Sequence, residues 1–482
     1  MKLKINDNYL YIFIFTSFFF LWGVDLKAIF FQLDPIKDHG SYFRLNFLII
    51  FLIVPILINC IKERSSLFKK IFNYQQYIIF FILFIVVHFF LVKFYYQEVI
   101  DKSEIINLIF LILLSVIYCH YRNFILVNFK KILTLYLIIF LTYSIYEGSQ
   151  IYNFGFYDDN GVLQFKNFGQ CNNDIFLIDI LRRYLNITLS NSIYLENSHL
   201  AMMTIGVFFS SLYILIQERK KNILFLILFS IEVIIVLNNL STTYFVGYFF
   251  SQIVLLLFFI KKIDIKFWII AFLFLTINSY LFFSDKHCVN KITQFSIRDI
   301  QENTLDRTDA HGSVNPNLTT AIYQRSMIVA KETLLHHSLG WGIDGMDNAN
   351  KDLLKNYKDC LGFGTEADNC DGMYDKVAGA YSSRDGMYDK DANWEAFHLN
   401  LKDGLSNSLK LFTEFGFFAF IIYFYFLKYI LNIKNINSYN LFIIVLFITM
   451  SIRGAGYFNG GFIFCLLEFF FHKKLIKNEI KN

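Results

Sequence analysis

Long apolar runs recur along the whole chain and are separated by short polar or basic segments. A run of about 17–25 apolar residues crosses a bilayer as a helix, because the helix satisfies its own backbone hydrogen bonds. By this length rule the pattern predicts about twelve transmembrane helices, and therefore an all-α polytopic integral membrane protein. The predicted spans are 8–24, 44–61, 75–95, 105–120, 131–147, 199–217, 222–239, 243–260, 267–284, 409–427, 438–452 and 456–471.

Lysine and arginine clusters fall on alternate connections between these spans. Because basic loops stay on the cytoplasmic side, the alternation predicts that both termini are cytoplasmic and that two long segments, 148–198 and 285–408, lie outside. The predicted cytoplasmic clusters are Lys2/Lys4, Lys62/Arg64/Lys69/Lys70, Arg122/Lys130/Lys131, Arg219/Lys220/Lys221, Lys261/Lys262/Lys266, Lys428/Lys434 and Lys473/Lys474/Lys477/Lys481.

The spans and loops divide the chain into three parts. Residues 1–284 hold transmembrane helices 1–9 with the outer segment 148–198. Residues 285–408 form a large outer loop with amphipathic helices, and 409–482 hold helices 10–12 and a cytoplasmic basic tail. An insertion as long as the large loop usually carries function.

Composition supports the membrane class and narrows the partners. The chain is 56% hydrophobic and 17% charged, which excludes an ordinary soluble protein. The large outer loop holds 13 Lys and Arg residues against 19 acidic residues, which argues against nucleic acid as a partner. No Cys or His pair has zinc-ligand spacing, and no glycine-rich phosphate loop occurs, so neither a metal nor a nucleotide cofactor is expected.

Ionisable residues at the outer ends of spans are the candidates for chemistry, because a charge near hydrocarbon is costly without a partner or a task. Glu196 and His199 stand at the start of the span 199–217, where they form either a helix cap or part of a site. Arg182 and Arg183 are further cations in the preceding outer segment.

Arg325 lies on a predicted amphipathic helix, Thr319–Leu339, that ends at Gly340 and Gly342. An arginine fork binds phosphate oxygens bidentately, which lysine does not. The alternative is a surface arginine whose aliphatic stem lies against the membrane.

Three more ionisable residues each have a functional and a plain interpretation. His398 either accepts a proton from a hydroxyl group or is a solvated loop histidine. Arg453 begins a glycine-rich outer turn, 453–461, which either approaches a ligand closely or is an ordinary tight turn with an anchoring arginine. Glu232, inside the span 222–239, is either a proton-relay group or a helix-packing hydrogen-bond partner.

Three motifs follow one another in the chain: Arg325, then Leu339–Gly342 (LGWG), then Asn407 ahead of Leu411–Gly416 (LFTEFG). On these motifs the chain resembles the O-antigen polymerase and ligase superfamily over about residues 199–430. This resemblance implies a metal-independent glycosyltransferase of the bacterial inner membrane, with 285–408 as a periplasmic loop. The implied donor is a glycan on undecaprenyl pyrophosphate, and membrane lipid and a chain-length regulator are implied partners. The acceptor is another lipid-linked repeat unit in a polymerase or lipid A-core in a ligase; we favour the polymerase.

The resemblance has two departures. The family's His-Asn doublet is Ser406-Asn407 here, so His398 or Glu196 has to stand in as the base. The family's Ser-Arg after the seventh span is matched by 240–243, which has no arginine. The predicted catalytic residues are His398 and Glu196, and the predicted pyrophosphate- and glycan-binding residues are Arg325, Arg453, His199, Asn407, Arg182 and Arg183.

The alternative from another functional class is a flippase or transporter of lipid-linked sugars, in which Glu232 would couple proton binding to transport. Transporters commonly contain two similar halves, and none is visible in this sequence.

Overall fold

The computed structural model describes residues 9–21, 49, 52–56, 58, 66–96, 100, 102–154, 156–157, 163–164, 197–217, 223–238, 242–283, 306–308, 314–316, 318–356, 406–454, 456 and 461–479. Its helices are α1 (Tyr9–Thr16, continued by a π-helical turn Ser17–Leu21), α2 (Ser66–Tyr96), α3 (Lys102–Phe154), α4 (Asn197–Gln217), α5 (Ile223–Asn238), α6 (Thr242–Phe259), α7 (Ile265–Phe283), α8 (Leu318–His336), α9 (Met346–Asn356), α10 (Asn407–Phe415), α11 (Ala419–Asn432), α12 (Ser438–Ile452) and α13 (Phe462–Glu479).

Helix α12 lies at the centre of the bundle. Its residues from Tyr439 to Met450 are all buried, as expected for a helix that is hydrophobic on every side. Glycines on its two main neighbours, α4 and α6, allow the close approach: a Cβ at Gly206 would lie 3.0 Å from Phe442 Cδ2, and a Cβ at Gly247 would lie 3.0 Å from Thr449 Cγ2. Small residues at such contacts are how helices pack closely in membranes.

Helix α3 corrects two of the predicted spans. The runs 105–120 and 131–147 were predicted as separate spans joined by a cytoplasmic turn, whereas Lys102–Phe154 is one helix of 53 residues. The prediction was wrong because basic residues were taken as a loop, although 121–130 contain no Gly or Pro that would end a helix. Arg122 of the predicted loop is 3% exposed, inside the bundle.

The predicted outer segments contain short elements that the sequence pattern did not predict. Strands β1 (Phe156–Tyr157) and β2 (Leu163–Gln164) form an antiparallel pair, as do β3 (Asp306–Thr308) and β4 (Val314–Pro316). The predicted helix Thr319–Leu339 is confirmed as α8, which ends at His336, and Gly340 and Gly342 follow it with φ angles of 81° and 82°. Helix α9 packs on it through a small core of Val329, Trp341, Met346 and Ala349.

The chain is an α-helical membrane protein. Within the described residues, Glu104–Ile145, Leu200–Gln217 and Asn407–Asn432 are long and apolar enough to cross a membrane. Six shorter apolar helices accompany them: Tyr9–Leu21, Phe81–Tyr96, Ile223–Val233, Thr243–Phe259, Ile265–Tyr280 and Ser438–Ile452. The count of twelve spans is therefore not confirmed.

Candidate functional site

The turn after α8 is joined to the junction of α10 and α11 by backbone hydrogen bonds. The N–H groups of Trp341 and Gly342 donate to the carbonyl groups of Thr413 and Glu414 over 3.0 and 2.8 Å. The N–H of Phe417 donates in return to the carbonyl of Ser338 over 3.0 Å. This reciprocal contact, which we call the glycine junction, fixes the end of α8 against α10.

The first turn of α10 is a buried polar corner. Ser406 is the N-cap: its Oγ accepts from Leu409 N at 3.3 Å and donates to Ser451 O at 2.6 Å, at the end of α12. Asn407 is fully buried, and its Oδ1 accepts the N–H of Gly456 over 2.8 Å. Its Nδ2 has no hydrogen-bond partner within the part of the chain that the structure describes. Asn407 therefore offers a donor at the place where α10 meets the glycine-rich turn.

Arg453 stands at the same corner. It is the C-cap residue of α12, with an extended backbone and its N–H bonded to Thr449 O at 2.9 Å, and its side chain is half-buried. Gly454 packs directly on Asn407, since a Cβ there would lie 2.7 Å from Asn407 Nδ2. That this turn approaches a ligand stays a prediction; among the described residues, its glycines contact Asn407.

The interior of α10 carries an ion pair that the sequence analysis missed. Lys410 Nζ lies 3.8 Å from Glu414 Oε1, with side-chain exposures of 5% and 0%. The i, i+4 spacing of these two opposite charges would have indicated the ion pair, because residues at that spacing lie on the same face of a helix. The pair keeps the charge of this buried face balanced.

Helix α8, which carries Arg325, packs against α10. Tyr323 of α8 interacts electrostatically with Tyr423 of α11, whose hydroxyl donates to Ser408 Oγ. Ser326, next to Arg325, is fully buried. The backbone of Arg325 is thus on a helix that contacts the Asn407 helix, while its side chain lies outside the described atoms.

The remaining predicted site residues are placed only in part. His199 lies in the first turn of α4, and α4 packs on α12, but its side chain is not among those described. Glu196, His398, Arg182 and Arg183 lie outside the described residues. The structure therefore brings Asn407 and Arg453 together at one corner, with the Arg325 helix packed on α10.

A small apolar cavity that opens outward lies between α2, α3, α10, α11 and α13. Only apolar side chains line it, among them Phe84, Leu411 and Phe415, and Ile343 from the turn after the glycine junction. On α10, Leu411 and Phe415 line the cavity and directly follow the ion-paired Lys410 and Glu414 in sequence. Because α10 begins at the polar corner, the same helix contributes to both the cavity wall and that corner. The cavity suits a hydrocarbon chain.

Two further buried ion pairs support the bundle. Arg122 of α3 holds Glu468 of α13 through two hydrogen bonds of 2.8 and 2.6 Å, and Tyr118 donates to the same carboxylate. Lys93 Nζ lies 2.6 Å from Glu104 Oε1 where α2 and α3 meet. The sequence analysis missed both pairs, although Glu468 inside an apolar run was a signal.

The described residues contain no group of three or more His, Cys, Asp or Glu side chains that could hold a metal ion. No family model matches the chain, and no curated protein and no solved structure matches it either.

Proposed function

We propose that the chain is a membrane glycosyltransferase that polymerises undecaprenyl-pyrophosphate-linked oligosaccharide repeat units at the periplasmic face of the bacterial inner membrane. The observation that carries this function is the convergence of Asn407, Arg453 and the Arg325 helix at one corner. A guanidinium group and an amide N–H at this corner would donate hydrogen bonds to an anionic group, such as the pyrophosphate of a lipid whose tail is hydrocarbon.

The apolar cavity adjoins this corner through α10. A polyprenyl tail in the cavity would keep its pyrophosphate near the first turn of α10, because Leu411 and Phe415 line the cavity on the same helix that begins at Asn407. The glycine junction would then hold α8, and with it Arg325, at a fixed position relative to the bound lipid.

In the proposed reaction, an acceptor hydroxyl attacks the anomeric carbon of the donor glycan, and the bond from that carbon to the pyrophosphate oxygen breaks. Arg325 and Arg453 stabilise the charge on the departing undecaprenyl pyrophosphate. His398 or Glu196 takes the proton of the hydroxyl. His199, Arg182 and Arg183 are proposed to contact the glycan or pyrophosphate. Because the arginines take the charge of the leaving group, the proposed step includes no metal ion or other cofactor.

Ser406 has a defined place in this scheme. At the position where the resembling family has its histidine, Ser406 caps α10 and is bonded to Ser451 O. Since Ser406 is 1% exposed, we assign it a positioning role and leave the base to a residue outside the described part of the chain.

A strain that lacks the gene separates the candidate functions on a gel of surface polysaccharide. Core that carries a single repeat unit supports the polymerase. Bare core, with polymer retained on undecaprenyl pyrophosphate, supports the ligase, which uses the same donor. An unchanged profile overturns both and favours transport.

Complementation with Arg325→Ala tests the site. Long-chain glycan should disappear at normal protein levels, because the pyrophosphate loses a cation. Lys331→Ala is the matched control, since Lys331 is an exposed cation on the same helix, and it should restore the full ladder. Wild-type laddering with Arg325→Ala contradicts the assignment.

A further inference from the structure

Four glutamates are buried in the described part of the chain, and three of them are paired with a cation. Glu104 pairs with Lys93, Glu414 with Lys410, and Glu468 with Arg122. Glu232 is equally buried, at 1% exposure, and has no Lys or Arg within ion-pair distance among the described residues. Neither of its carboxyl oxygens has a hydrogen-bond partner there. The bundle thus balances its other buried carboxylates and leaves this one without a counter-charge.

Glu232 lies within α5 and not at an end of the helix that could fray. It occupies the inward stripe between Phe229 and Val236, which are 8% and 3% exposed. Ile223 and Ile227 on the opposite face are 71% and 51% exposed, as expected for side chains in contact with lipid. Glu232 therefore faces the interior of the bundle rather than water.

The described side chains that lie next to Glu232 are aromatic. Phe229, one turn away, packs on Phe208 of α4 with ring centroids 5.6 Å apart, and Tyr244 of α6 lies near Glu232. The helices packed on α5 are α3 and α4. Between residues 130 and 145 of α3, and among the described side chains of α4 and α6, the other titratable groups are Lys130, Lys131, Tyr136, Tyr143, Tyr213 and Tyr248. The hydroxyls of Tyr213 and Tyr248 already donate to Ile436 O and Ala271 O.

We propose that Glu232 is a proton-binding site: in this conformation its carboxyl group carries a proton, and the proton is its ligand. Removing a carboxylate from water without a cation is far costlier than burying the neutral acid. A buried acid without a counter-charge in a membrane bundle can gain or lose a proton as the helices move, which is how intramembrane acids couple protons to such movements. This site is separate from the polar corner of α10 and α12, so it stands or falls independently of glycosyl transfer.

Dicyclohexylcarbodiimide tests the protonation state directly. The acid adds across one C=N bond: its oxygen bonds to the central carbon, its proton passes to the nitrogen, and acyl migration leaves a stable N-acylurea. With the purified full-length protein in detergent at neutral pH, mass spectrometry should find the adduct on Glu232 and not on Glu468, whose carboxylate Arg122 holds. A water-soluble carbodiimide should leave Glu232 unmodified.

Labelling of Glu468 as extensive as that of Glu232, or no labelling of Glu232, would overturn the proposal. Infrared spectroscopy gives a second measurement that does not depend on access of a reagent. The carbonyl band of a protonated carboxylic acid should be present at neutral pH in the wild type and in Glu468→Gln, and lost in Glu232→Gln. Absence of this band from the wild type overturns the proposal whatever the labelling.

Discussion

Gly340 and Gly416 lie backbone to backbone at the glycine junction. A Cβ at Gly340 would fall 2.6 Å from Gly416 N, and a Cβ at Gly416 would fall 2.6 Å from Gly340 N. Both residues have positive φ angles, 81° and 52°, in the region where glycine carries no steric penalty. The contact explains how backbone hydrogen bonds hold a loop helix against a predicted transmembrane helix.

Gly340→Ala should destabilise the protein more than Gly342→Ala. Both substitutions place alanine at a positive φ, which costs roughly 1–2 kcal/mol. At Gly342 the nearest atom to the new Cβ is 3.7 Å away, whereas at Gly340 it is the Glu414 carbonyl oxygen at 2.3 Å. Thermal unfolding of the detergent-solubilised variants measures the difference. Equal losses for the two variants would mean that the junction is not closely packed.

Removing either partner of the Arg122–Glu468 pair should cost about 3–5 kcal/mol, because an uncompensated buried charge remains. The variants Arg122→Met and Glu468→Met should each be less stable than the double variant, in which no charge is left. Asp347→Asn is the control, since its partner Lys351 is 63% exposed and such pairs contribute about 0.3–0.5 kcal/mol. Additive losses in the double variant would contradict the pairing.

Local sequence signals predicted most helices of the bundle. The bounds of α12 match the predicted span 438–452, because Asn437 caps the helix and its side chain accepts from Asn440 N. The end of α8 at His336 lies three residues before the predicted end at Leu339, and Gly340 takes the positive φ that was expected of it.

Partners far apart in sequence could not be predicted from local pattern. Arg122 was assigned to a cytoplasmic loop because its ion-pair partner, Glu468, lies 346 positions further along the chain. The corner at Asn407 was indicated by the family resemblance, but its contact with Gly456 depends on how α10 meets α12. The cavity likewise depends on five helices together, which no single apolar run encodes.

Asn407→Asp should lose polymer, and its protein level, measured alongside, shows what the buried carboxylate costs the fold. The new carboxylate retains the oxygen that accepts from Gly456 N, but the Nδ2 donor is gone. Since a hydrogen bond to a charged oxygen is worth about 1.5–3 kcal/mol, we expect at least a roughly tenfold loss of long-chain glycan. Asn437→Asp is the control: Asn437 caps α12 through its Oδ1, which the substitution keeps, and the ladder should remain. A full ladder with Asn407→Asp would remove Asn407 from the binding site.

The continuity of α3 decides the topology of the chain. Spin labels at Ile109 and Ile145, each 48% exposed, should lie about 54 Å apart in one helix, at 1.5 Å per residue. A reversal at 121–130 would bring the same labels within roughly the 30 Å thickness of the hydrocarbon core. Pulsed electron paramagnetic resonance on a cysteine-free background measures this distance. The long distance makes α3 a single continuous helix and removes one of the twelve predicted spans. The short distance would contradict the continuous helix and restore the predicted pair of spans, with both termini cytoplasmic.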